Sequence, residues 1–82
     1  MTEHSRQDTY NTIVKIVAEK LNVDKSTVNG NATLEQLGAD SLDMVEIIMK
    51  LEEQFGIEID DEEAESLGTL DQVVDYVQKL RR

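Results

Sequence analysis

Ser41 stands between acids in Asp40-Ser41-Leu42-Asp43, where apolar residues begin to recur at helical spacing. A hydroxyl at a helix start has two chemical uses. Its oxygen can accept from a free backbone N–H and cap the helix. It can also carry a bonded anion, because free N–H groups and the positive dipole end stabilise a phosphate there. Composition and position favour the capping use for Ser41, but Asp40 can cap in its place, so the two uses need not conflict. Nucleophilic catalysis does not fit. The only histidine, His4, falls in residues 1–5, which are expected to fray, so no Ser-His-Asp arrangement can be built. The acids do not follow the EF-hand pattern, no Gly-rich loop cradles a phosphate, and no His/Cys set is present to hold a metal. An enzyme with its own active site is not expected.

The chain that positions this serine has 82 residues, enough for one domain and one core. Valine, isoleucine and leucine number 22 and aromatic residues three, which makes the core aliphatic. No cysteine or proline is present, so no disulfide staples the fold. The net charge of −10 is unevenly spread. Residues 1–34 are neutral, with four acids and four bases; residues 35–75 hold fourteen acids against Lys50 alone; residues 76–82 are basic through Lys79, Arg81 and Arg82. That acidic segment opposes nucleic acid and anionic membranes and favours basic protein partners or cations. Crowding at Asp60, Asp61, Glu62, Glu63 and Glu65 predicts stabilisation by salt or divalent cations through diffuse binding. No apolar run is long enough for a membrane span and Met1–Thr12 holds no hydrophobic signal core, so a cytoplasmic protein without membrane insertion is the expectation.

The periodicity is all-α. Tyr10, Ile13, Val14, Val17 and Leu21 share one face of a first helix over roughly 6–21, opened by Ser5 with Asp8. The polar stretch 22–40 is too long to be structureless in so small a domain. A helical turn is expected at Thr33–Gln36, with Leu34 and Leu37 docked on the core and Gly38 in the left-handed position after it. A second helix runs from Asp40 or Ser41 to about Phe55, stopped by Gly56. A short acidic helix over Asp61–Ser66 follows Asp60. A last helix opens at Thr69 with Gln72 and buries Leu70, Val73, Val74, Val77 and Leu80. Ile57-Glu58-Ile59 alternates like a strand but is too short for a sheet. The result is a small four-helix bundle, three main helices and one short one, with a long first loop.

The second helix is more apolar than its core requires. At about 100° per residue, Ile47, Leu51, Met44, Phe55 and Ile48 make a sufficient buried face. Leu42, Val45 and Met49 form a second strip, interrupted by Glu52 and rimmed by Glu46 and Glu53. Either this strip is exposed for a partner, or the long loop covers Leu42 and Val45 while Met49 fills a gap.

Leu37-Gly38-Ala39-Asp40-Ser41-Leu42-Asp43 resembles the prosthetic-group attachment motif of acyl carrier proteins, and Val45 through Ile59 resembles the second helix and following turn of that family. The resemblance runs from about Gln7 to Leu80. It implies that Ser41 is the attachment point of 4'-phosphopantetheine, added from coenzyme A by a phosphopantetheinyl transferase, with Asp40 and Leu42 as flanking motif residues. The arm's thiol would carry acyl groups as thioesters. It further implies that Asp43, Val45, Glu46, Met49, Glu52 and Glu53 meet basic patches on fatty acid synthesis enzymes. Such contacts are steered by charge, so reversal at Glu46 or Glu53 is expected to slow transfer by partners. Lys50 departs from a uniformly acidic helix, and its spacing allows a pair with Glu46 or Glu53. Ile47, Leu51, Phe55, Ile59, Ala64, Leu67 and Val73 are candidates for an apolar cleft that shelters the acyl chain, or simply core. The implied protein is a monomeric carrier of freestanding, type II fatty acid synthesis. Alternatives are a polyketide or other specialised acyl carrier and, from another class, an unmodified acidic interaction module.

Overall fold

The computed structural model describes residues 5–81. Helix α1, Arg6–Leu21, starts where the Asp8 N–H donates to Ser5 Oγ at 3.0 Å and stops at Asn22, which takes the left-handed conformation at φ 57°. Ser5, which the sequence places both in a frayed end and at a cap, is the cap; His4 lies outside the described residues. The buried face of α1 is Thr9, Ile13, Val14, Val17 and Ala18. Helix α2, Ser41–Phe55, ends at Gly56 with φ 65°. Helix α3 is the short acidic Asp61–Ser66, and α4 spans Leu70–Leu80 behind the expected Thr69/Gln72 capping box. α1 packs on both α2 and α4. Ile13, Val17, Ile47, Leu51, Leu70, Val74 and Val77 are wholly buried between them.

The first loop holds one element more than its sequence reading, a 3-10 turn at Lys25–Thr27. The expected turn forms: the Thr33/Gln36 pair bonds reciprocally, at 3.0 Å each way, and the Leu37 N–H donates to the Thr33 carbonyl at 3.2 Å, a single helical turn that does not extend into a helix. Gly38 at φ 100° lets that turn end, and Leu34 is buried while Leu37 is half-buried.

The loop is stitched to α4. Thr33 and Thr69 form an antiparallel bridge, the Leu70 N–H donates to the Ala32 carbonyl at 2.9 Å, and the Asp71 N–H donates to the Gly30 carbonyl at 3.0 Å. Two of the free donors at the start of α4 are thereby satisfied from outside the helix. At position 30 a Cβ would stand 2.4 Å from an Asp71 carboxylate oxygen, so a larger residue there would have to push that side chain aside. Arg6 reaches across from α1 to Asp75 at 2.8 Å and Asp71 at 3.2 Å. These hydrogen bonds, first to Asp75 and then to Asp71, hold its guanidinium above its ordinary pKa.

One turn after Arg6 on α1, a polar node ties three helices. Thr9 is wholly buried. Its hydroxyl is within bonding reach of the Ser5 carbonyl and Gln78 Oε1 and accepts from Arg81 Nη1 at 2.8 Å. The Arg81 guanidinium also lies 4.6 Å from the centroid of the Phe55 ring, a cation–π contact to the end of α2.

Candidate functional site

The question of what caps α2 is settled by a reciprocal box. The Asp43 N–H donates to Asp40 Oδ1 at 2.9 Å, and the Asp40 N–H donates to Asp43 Oδ2 at 3.3 Å. Asp40 therefore takes the capping role, and Ser41 is the first helical residue, exposed. Its hydroxyl is not needed to hold the helix and stands at the positive end of a four-turn dipole. That arrangement suits a covalently bonded phosphate. Two carboxylates flank the hydroxyl, so its surroundings mix a favourable dipole with nearby negative charge.

Beyond Ser41, α2 exposes three large apolar side chains: Leu42 at 65%, Val45 at 55% and Met49 at 59%. The loop does not cover them, which removes the alternative that they belong to the core. They lie at i, i+3 and i+7 on one side of the helix. Among the acids around them, Glu53 is exposed, Asp43 is half-buried and bonded into the capping box, and Glu46 is half-buried and ion-paired with Lys20 of α1. Neither expected pairing of Lys50, with Glu46 or with Glu53, forms. A lysine on the adjacent helix takes the Glu46 carboxylate, a contact between elements that local spacing does not reveal.

Glu52 requires a correction. The sequence places it on the rim of the exposed strip, as a carboxylate facing a partner. Its Oε2 instead accepts the Ile59 N–H at 2.8 Å. The side chain folds over the end of its helix and clasps the segment that leaves Gly56. Ile59 is buried, so this amide has no ready water to replace the carboxylate. Glu52→Ala is expected to lower unfolding stability by about 1–3 kcal/mol, the cost of stranding a buried donor. Glu53→Ala is expected to leave it within about 0.5 kcal/mol, as for an exposed surface change. Paired chemical denaturation curves check both.

The seven cleft candidates share one core cluster. Ile47, Leu51, Ile59 and Val73 are buried, and Phe55, Ala64 and Leu67 are half-buried against them. On the same side, burial pushes the Tyr76 phenol above its ordinary pKa, with the charges of Glu63 and Asp60 adding to the effect.

Among the described residues, no group of three or more His, Cys, Asp or Glu side chains is arranged to hold a metal ion, and no helix is long and apolar enough to cross a membrane.

Sequence reasoning missed Lys20, Thr9, and the reach of Arg81 to Phe55. Thr9 was within view, because it stands four residues before Ile13 and eight before Val17 on the buried face of α1. The other two are contacts between distant segments.

The profile of the phosphopantetheine attachment site family matches residues 11–77, a span that includes Ser41. An acyl carrier protein of Rubrobacter xylanophilus is 52% identical over 73 residues, covering 88% of this chain and 90% of its own. An acyl carrier protein of Thermotoga maritima is 41% identical over 76 residues, covering 92% and 94%. The crystal structure of an acyl carrier protein from Thermotoga maritima superposes with a TM-score of 0.79 at 32% identity, over 92% of this chain and 88% of that one. Relatedness along nearly the whole length, joined to a shared helical architecture, shows that this chain belongs to the acyl carrier proteins, carriers built around phosphopantetheine attachment.

Proposed function

We propose that the chain carries acyl groups as thioesters on 4'-phosphopantetheine joined to Ser41 Oγ, and delivers them to the enzymes of fatty acid synthesis as a cytoplasmic monomer. The observation that carries this reading is the exposed Ser41 hydroxyl, released from capping by Asp40 and set at the head of α2 inside the family match. When bound, the arm supplies the thiol that this cysteine-free chain lacks. The chain's own residues do the rest. The first-turn N–H groups and dipole of α2 offset the charge of the phosphodiester. Asp40 keeps the helix start formed whether or not Ser41 is modified. Leu42, Val45 and Met49 offer apolar contact beside the attachment point, and Asp43, Glu46 and Glu53 attract basic patches on the transferase and synthesis enzymes. The side chains from Ile47 to Val73 that share the core are the shelter for the acyl chain. Intact mass after incubation with coenzyme A, Mg²⁺ and an active phosphopantetheinyl transferase tests the reading. One added phosphopantetheine per chain is the expected result; an unchanged mass would overturn it.

A further inference from the structure

Glu46 is a rim carboxylate of the proposed docking face. It stands one turn beyond Leu42, adjoins Val45, and lies one turn before Met49. Yet it already has a cation. Lys20, in the last turn of α1, forms an ion pair with it across the interhelical groove, and both side chains remain about a third exposed. The pair is thus at the surface, where such contacts hold weakly and exchange readily.

We propose that Lys20 is an internal competitor for Glu46, so that a basic partner gains this carboxylate only by displacing the lysine. The inference rests on the carrier reading above and adds a residue outside α2 to the docking chemistry. Lys20 offers a compact, strongly hydrated point charge, whereas an arginine presents a planar fork that grips a carboxylate in two places. Displacing Lys20 costs the same whichever cation replaces it, so a partner that grips Glu46 with an arginine fork recovers more of that cost than one that offers a lysine. It also makes Glu46 contribute less to docking than an unpaired carboxylate at the same position.

A mutant cycle in phosphopantetheinyl transfer tests this. The variants are Lys20→Gln, Glu46→Gln, both together, and Lys15→Gln. Lys15 lies on the same helix, lines the same groove, and removes the same charge without touching Glu46. Against wild type, Glu46→Gln is expected to lower kcat/KM by less than about twofold, because the carboxylate is already neutralised; against Lys20→Gln it is expected to lower it about fivefold. Lys20→Gln alone is expected to raise kcat/KM about threefold at low salt, with the gain shrinking as salt rises. Equal effects of Glu46→Gln in both backgrounds, or an equal gain from Lys15→Gln, would overturn the competitor role and leave the carrier reading standing. Failure of the wild-type chain to gain mass would instead overturn the carrier reading. Each variant changes exposed or half-exposed groups only, and circular dichroism checks that the helices persist.

Discussion

Ser41→Ala is expected to abolish phosphopantetheine loading completely while leaving the fold within about 0.5 kcal/mol of wild type, as for a surface substitution. The two halves of this result come from one feature. Attachment needs an oxygen at that position, and alanine has none. Stability does not need it, because the cap on α2 is the Asp40/Asp43 box. Had Ser41 been the cap, its loss would cost about 1 kcal/mol and the two effects would be entangled. The contrast is Asp40→Ala, which is expected to lose about 1 kcal/mol of stability yet keep the acceptor hydroxyl. Mass spectrometry reads loading and denaturant titration reads stability. Loading that persists in Ser41→Ala would place the attachment elsewhere, and a large stability loss in that variant would mean the hydroxyl serves the helix after all.

Leu51→Ala is the second large effect. Leu51 is wholly buried in the C-terminal half of α2, among the residues proposed to shelter an acyl chain. Truncation is expected to destabilise the protein by about 2–5 kcal/mol, from lost transfer energy and the cavity left behind. In a domain this small that is a large part of the total. The same cavity separates shelter from ordinary core. If the acyl chain enters this cluster, loading the variant with a medium-length acyl group fills the void, so the loaded variant recovers a good part of the loss. Wild type, already close-packed, gains less from the same cargo. Thermal melts of the four species, each variant with and without cargo, measure this. An equal gain for both proteins would mean that the chain lies elsewhere, and the buried aliphatic residues are core alone.

Most of the fold was legible because its signals are local. The ends of α1 and α2 are written in Ser5, Asp40, Phe55 and Gly56, and Thr69 with Gln72 marks α4; each is a side chain meeting its own helix within a few residues. The exposed strip was legible for a related reason: a helical wheel shows more apolar surface than one core face uses. What escaped is interaction across segments. Glu52 reads as rim on the wheel because the wheel cannot show that its carboxylate turns back over Gly56 to Ile59. Lys20 and Glu46 are twenty-six positions apart, and Lys50 is the better partner by spacing alone. The early 3-10 turn at Lys25–Thr27 carries no apolar periodicity, being held by its own backbone and the Thr27 hydroxyl on the Asp24 carbonyl. The attachment serine was legible from its neighbours, but the reason its hydroxyl is uncommitted came from the geometry of the two aspartates.

The stitching of the first loop to α4 has a consequence for how the molecule opens. Helix ends ordinarily fray one turn at a time, each turn independent of the rest of the chain. Here the amides of Leu70 and Asp71 are held by carbonyls some forty residues away. The start of α4 cannot loosen without the loop lifting, and the loop cannot lift without exposing those amides. The two segments are expected to open as one cooperative unit, their amides exchanging together. The carrier's longest connection thus opens as part of its last helix, and not as a hinge between its first two.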